Sequence, residues 1–207
     1  MTETSPSHAA PAAFGSNDLD VVLRHVWDTL EQAVRNRTHP MHTPILASVR
    51  DGGAEARVVV LRAQDAATGR LRIHTDYRSS KVSDIETAPS VTVLGFDAAA
   101  KLQIRIRGEA RVHTNDALVQ DAWDRSRPFS LHCYHQVEPP GVPVAVPPRA
   151  VRPEQGRERE RGRENFAAIV IDAREIEWLY LDAAGHRRAI FRRSAVHETW
   201  QGQWVAP

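Results

Sequence analysis

From Lys101 to His113 the chain alternates without a slip. Leu102, Ile104, Ile106, Gly108, Ala110 and Val112 fall on one side, and Gln103, Arg105, Arg107, Glu109, Arg111 and His113 on the other. Successive side chains of a β-strand point to opposite faces, so a period of two held this long specifies an extended, half-buried strand. Candidate neighbours flank it. Thr43–Arg50 and Ala56–Ala63 read as a hairpin joined through Gly52-Gly53. Leu71–Thr75 and Val91–Asp97 read as two further strands, the second entering the alternating stretch through a tight loop. Phe166–Asp172, Glu175–Leu181, Arg187–Arg193 and Thr199–Val205 follow downstream, with Gly185 and Gly202 at the expected turns. Short β-segments at this spacing with one interrupting helix predict a mainly β chain, a small antiparallel β-barrel with flanking helices.

The helices are also legible. Ser16-Asn17-Asp18 supplies capping residues, after which Leu19, Val22, Leu23, Val26, Leu30 and Val34 recur at helical spacing with Trp27 on the same side. That apolar stripe is core and covers one end of the barrel. A short helix is expected from Ser79 to Ala88 and another from Asn115 to about Arg125. Met1–Gly15, rich in Ala, Pro, Ser and Thr, reads as a disordered arm, and residues 16–207 as one domain. Residues 138–164 read as a loop, rich in proline and then alternating Arg with Glu.

The stretch with most chemical character is Leu71-Arg72-Ile73-His74-Thr75-Asp76-Tyr77-Arg78-Ser79-Ser80-Lys81. A strand end that feeds a helix start aims free backbone N–H groups and a positive dipole end at one spot. Ser79 and Ser80 add hydroxyl donors there, and Lys81 adds a full charge, a combination suited to a phosphate. Taken alone, the same residues are also explained by Ser79 capping a helix and Lys81 sitting in solvent.

Three pieces in order carry a resemblance: the strand Arg57-Val58-Val59-Val60-Leu61-Arg62, the turn Thr75 to Lys81, and Gln103 on the long strand. They resemble the flavin-binding split barrels of the pyridoxamine 5′-phosphate oxidase family. The resemblance covers roughly residues 40 to 207, and a fourth piece is Trp178 lying ten residues before Arg188. It implies an FMN-binding split β-barrel working as a homodimer, with FMN at the subunit interface. Arg57 to Arg62, His74, Thr75, Ser79, Ser80, Lys81 and Gln103 would hold the cofactor. Trp178 and Arg188 would approach it from the partner subunit. Arg57 would grip the FMN phosphate bidentately, with Lys81 and the serines closing the cage. Gln103 would meet the polar edge of the flavin. Ser80 stands where many members have arginine, so one phosphate contact is missing, and Arg78 is the candidate to replace it.

The substrate side departs from the family pattern. His186 matches the substrate histidine, but Ala184 stands where an arginine is expected, Trp123 replaces a tyrosine, and Arg62 replaces a lysine, while Arg127 is kept. Trp123, Arg127 and His186 remain the substrate-pocket candidates. Hydride transfer between a small-molecule substrate and FMN is the implied reaction, and the vitamin substrate is not the expected one. The alternatives are a flavin carrier or redox sensor without turnover, and a barrel using a deazaflavin or haem.

Charge and composition narrow the partners. Lys and Arg total 27 against 26 Asp and Glu, which gives no general pull toward nucleic acid. No segment approaches the ~20 apolar residues of a membrane span. One cysteine, Cys133, and an N-terminus without a signal-peptide pattern fit a cytoplasmic protein. His132-Cys133-Tyr134-His135 lacks a second ligand pair at zinc-like spacing, so no metal site is expected.

Overall fold

A computed structural model describes residues 12–147, 160–194 and 198–207. In chain order its elements are α1 (Ala12–Gly15), α2 (Leu19–Arg35), β1 (Ile45–Arg50), β2 (Gly53–Val58), β3 (Leu61–Asp65), β4 (Arg70–Asp76), α3 (Ser80–Thr87), β5 (Ser90–Asp97), β6 (Leu102–His113), α4 (Ala117–Asp124), α5 (Pro128–Leu131), β7 (Phe166–Tyr180), β8 (Arg187–Arg193) and β9 (Trp200–Val205). The described strands form one antiparallel sheet in the order β2-β1-β5-β6-β7-β4-β3, with β8 on β7 and β9 on β8. With the helices packed around it, this is the mainly β chain that the spacing predicts and the split barrel that the resemblance implies.

The spine is β6 against β7. The alternating stretch is a strand along its whole length, and Leu102, Ile104, Ile106 and Ala110 are buried. Its partner was expected as two strands, Phe166–Asp172 and Glu175–Leu181, but is one, Phe166–Tyr180. The register slips between Arg107↔Glu175 and Gly108↔Ala173, leaving Arg174 unpaired as a bulge. The slip has a sequence cause. Ile169, Ile171 and Ala173 are odd-numbered and Ile176 and Trp178 even-numbered, yet all five are buried. One extra residue is needed to bring both sets onto the core face. The N-terminal half of β7 also pairs with β4, and its C-terminal half with β8.

The run Arg57 to Arg62 was expected as one strand and is broken at Val59-Val60. Before the break, β2 pairs with β1; after it, β3 pairs with β4 at the other end of the sheet. The break lets six residues cross from one sheet edge to the other, which no single-strand reading allows. The hairpin turn sits one residue earlier than expected, at Asp51 and Gly52, both with positive φ. Gly202 is not a turn residue. It lies in β9 over the Phe191 ring, where an added Cβ would meet the ring at 2.7 Å. Gly185 does lie in the turn from β7 to β8, at φ 139°.

Two cores result. The main one joins Val22, Val26, Trp27, Leu30 and Ala33 of α2 to the inner faces of the strands. The second lies on the other side of β7, where Val119, Ala122 and Trp123 of α4 pack with Leu131, Tyr134, Phe166 and Ala168. The last turn of the expected disordered arm is ordered: α1 buries Ala13 and Phe14, and Phe14 stacks on Tyr180 at 4.4 Å and 5°. An aromatic ring buried against another is incompatible with a disordered segment; residues 1–11 lie outside those described. Of the loop expected over 138–164, residues 148–159 lie outside them too. Residues 163–165 form a short 3-10 turn.

Candidate functional site

The turn from β4 to α3 builds a cationic cradle. Thr75 is the last core-facing residue of β4 and is buried; Ser79, also buried, precedes the first turn of α3. Lys81 Nζ donates to Thr75 Oγ1 and to Ser79 Oγ, both at 3.0 Å. Ser79 Oγ in turn donates to the carbonyl of Asp76 at 2.7 Å, so it does not cap the helix; the N–H of Val82 in the first turn donates to the Ser79 carbonyl at 2.9 Å. Among the described residues no carboxylate lies within ion-pair distance of Lys81. Burial, and then the nearby Arg57, push its ammonium below the usual lysine range. Asp76 and Asp84 act on it in the opposite sense without bonding to it. A half-buried ammonium bonded only to hydroxyls, beside a second cation and a helix start, has the chemistry suited to an anion.

Arg57 contributes differently from the bidentate grip expected of it. Its Nη1 donates to Ser48 Oγ at 2.7 Å and to the carbonyls of Glu55 at 3.0 Å and Leu46 at 3.4 Å. Its Nη2 lies 3.4 Å from Asp84 Oδ2. Asp84, buried on α3, also receives Arg50 Nε at 2.9 Å, and this contact holds its carboxyl below the usual carboxylate range. The guanidinium is thus fixed behind the cradle as a charge, with most of its donors in use. Arg78 cannot replace the missing arginine either. It forks onto Asp76 and donates to the carbonyls of Gln136 and Val137, both at 2.9 Å, tying the loop after α5 to the turn. Ser80 is exposed at the mouth.

A second group lies on the outer face of the sheet. Residues opposite each other in antiparallel strands share a face, so Phe96, Gln103, Leu179, Arg188 and Val205 form one row across β5 to β9. Beside it runs the row Val58, Ile45, Leu94, Arg105, Glu177 and Ile190. Gln103 and Arg188 therefore share a face, on β6 and β8 with Leu179 of β7 between them. Trp178 is not among them. One residue from Leu179, it faces the core, fully buried among Phe14, Tyr180 and Trp204. Strand alternation places Trp178 and Arg188 on opposite faces, so a shared approach of the two side chains to one ligand is not the arrangement found.

The remaining candidates scatter. On β4, Arg72 and His74 point away from Thr75, so the His74 side chain does not face the cradle. It lines a separate cavity with Arg62, Arg72 and Arg127. Burial, then Arg62 and Arg72, push its imidazole down to about 3, so it is neutral at neutral pH. Val59 and Leu61 are core, Val60 is half-buried and Val58 is exposed. Trp123 is fully buried in the second core, and His186 lies in another hollow, with Asn17, Arg188 and Trp204. Within one chain, Trp123, Arg127 and His186 do not converge. Sequence reasoning missed Ser48 and Asp84, which hold Arg57 in place, and Arg50, which fixes Asp84; the one local signal is that Asp84 follows Lys81 by a helical turn.

Comparison with known proteins agrees with this architecture. Residues 24–114 match the family model described as the pyridoxamine 5′-phosphate oxidase FMN-binding domain. A pyridoxamine 5′-phosphate oxidase-related, FMN-binding protein from Nostoc punctiforme PCC 73102 superposes with a TM-score of 0.69 at 21% identity, covering 89% of this chain and 96% of that one. PhzG from Burkholderia lata 383, solved with tetrahydrophenazine-1-carboxylic acid, gives 0.67 at 18% identity over 99% and 100% of the two chains. No curated protein matches the sequence significantly. No helix among the described residues is long and apolar enough to cross a membrane.

Proposed function

We propose, from the chain's membership of the pyridoxamine 5′-phosphate oxidase-like split-barrel family, that it binds FMN and acts as an oxidoreductase on a small molecule. The observation that carries the reading is Lys81, an ammonium held by Thr75 and Ser79 with no carboxylate partner among the described residues. An FMN phosphate supplies the missing anion, bonded by Lys81, the Ser80 hydroxyl and the first N–H groups of α3, with Arg57 as a fixed charge behind. Gln103 offers an amide that both donates and accepts, as the polar edge of a flavin requires. When bound, FMN supplies hydride acceptance and donation, so no protein base is obligatory.

The same outer face supports a homodimer. Val58 is 66% exposed, Phe96 48% and Ile45 40%, an apolar rim around the Arg105–Glu177–Arg188 group. Exposed apolar side chains grouped around a charged centre suit a second copy of the chain. A cofactor at that interface would be reached by Gln103 and Arg188.

The test is the visible spectrum of the purified protein, followed by titration of apoprotein with FMN and riboflavin. Flavin absorbance, FMN bound at least tenfold tighter than riboflavin, and bleaching on adding NAD(P)H or substrate are the expected results. A Soret band, or equal affinity for the two flavins, would refute the assignment. Flavin binding without any bleaching would leave a carrier. Light scattering after size exclusion should give a dimer.

A further inference from the structure

Of the 27 lysine and arginine residues in the chain only two, Lys81 and Lys101, are lysine. They occupy opposite settings. Lys101 is exposed in the turn from β5 to β6. Lys81 is half-buried in the cradle, with Nζ 3.0 Å from both Thr75 Oγ1 and Ser79 Oγ. A guanidinium would offer an anion more donors there and keeps its charge at any physiological pH. An amine alone can give up its proton and become a nucleophile.

The cradle favours that neutral form. Burial strips water from the ammonium and the Arg57 guanidinium repels it, and together these outweigh the pull of Asp76 and Asp84. Desolvation beside a second cation is a general way to make a lysine nucleophilic. The geometry agrees. A neutral amine has two N–H bonds, which match the Thr75 and Ser79 hydroxyl oxygens and leave its lone pair uncommitted. The same surroundings attract a phosphate, with Arg57 fixed as a charge behind Lys81 and the Ser80 hydroxyl exposed at the mouth. The electrophile best suited to meet this amine is therefore one whose own phosphate delivers it.

We propose that Lys81 is a site of acylation by small acyl phosphates. The Nζ lone pair attacks the carbonyl carbon and an N–C bond forms. The bond from that carbon to the phosphate oxygen breaks, and the proton lost by nitrogen leaves on inorganic phosphate. No oxidant or further reactant is needed. The product is a neutral amide, so the modification removes the ammonium from the cradle. That its removal switches off FMN binding rests on the flavoprotein reading; the acylation does not.

The test treats the full chain, freed of any flavin, with acetyl phosphate or with the uncharged N-hydroxysuccinimide ester of acetic acid. Peptide mass spectrometry reads the rate at each lysine. Acetyl phosphate should acetylate Lys81 about tenfold faster than Lys101, whereas the uncharged ester should favour the exposed Lys101. Inorganic phosphate should slow the reaction of acetyl phosphate at Lys81 and leave Lys101 unchanged. Arg57→Gln should slow it at Lys81 about tenfold. The comparison of the two reagents is made on the parent chain, so it decides the matter even if that variant does not fold. Lys101 acetylated as fast as Lys81 by acetyl phosphate, the same preference from both reagents, or no protection by phosphate would overturn the proposal. Protein acetylated at Lys81 should bind FMN about tenfold more weakly and riboflavin as before. Acetylation as expected with FMN affinity unchanged would sink the placement of the flavin phosphate in the cradle and leave the acylation standing.

Discussion

Arg188 Nη2 lies 2.6 Å from Glu177 Oε2, and that carboxylate is 3% exposed although it sits on the outer face of the sheet. Arg105 Nη2 meets the same oxygen at 2.5 Å, so two guanidiniums seal one acid from solvent. Glu177→Gln would leave the two cations facing each other. The expected loss is about 2–4 kcal/mol, toward the lower side for a buried pair because both arginines stay partly wet. Urea unfolding measures it, and a change under about 0.5 kcal/mol would place the group with ordinary surface pairs.

Lys81→Ala separates cofactor binding from folding. A desolvated ammonium without a carboxylate partner adds little to the stability of the free protein, so melting without ligand should barely move. FMN affinity should fall by about 1.5–3 kcal/mol, roughly ten- to a hundredfold, while riboflavin is unaffected. Equal losses for both flavins would mean damage to the turn rather than loss of a phosphate contact.

Gly108 marks the bulge. A Cβ there would lie 2.2 Å from the carbonyl oxygen of Asp172 and 2.9 Å from its carbon. Backbone cannot yield as a flexible side chain would, so Gly108→Ala should cost about 3 kcal/mol or more and lower the melting temperature sharply. A variant as stable as the parent would show that β6 and β7 can part there freely.

His74 gives a pH signature. Its folded value, about 3, lies below the ordinary 6.5, so the unfolded chain takes the proton first as pH falls. Its contribution is complete above about pH 6.5 and is lost progressively toward about pH 3. His25 and His39, also lowered by burial, act in the same sense. Comparison with His74→Gln isolates its part: the slope of stability between pH 6.5 and 4 should be shallower in the variant. Identical slopes would contradict a neutral buried imidazole.

Pyridoxamine 5′-phosphate should be a poor substrate. Ala184 lies in an exposed turn and Trp123 is sealed in the second core, so neither offers the phosphate a charge or a phenol. Peroxide release under air by the FMN-loaded protein is the assay. Turnover near one per second at micromolar KM, ordinary for a dedicated enzyme, would contradict it.

The parts read correctly from the sequence are those with a local period. The alternation after Lys101, the 3.6-residue stripe of α2 and the Ser79–Lys81 helix start each write their structure into neighbouring residues. What escaped depends on partners far along the chain. Val59-Val60 looks like mid-strand until β1 and β4 are known to claim opposite ends of the run. Trp178 looks available until Phe14, from a segment that reads as disordered, is seen packed against it. The arginine cavity draws on α2, on β3 and β4, and on the end of α4, and its members share no spacing in sequence. Arg57 was legible as a cation beside the turn, but its hold by Ser48 and Asp84 was not, because two other elements supply them.

The break at Val59-Val60 divides responsibility along six residues. Arg57 is locked to one sheet edge by Ser48 and Asp84, while Arg62 travels with the other edge and looks into the arginine cavity. A substitution at Arg62 is therefore shielded from the cradle by a strand interruption, and one at Arg57 is shielded from the cavity. In the flavoprotein reading, a barrel wired this way exchanges its substrate without disturbing its cofactor, because inheritance of one end does not constrain variation at the other.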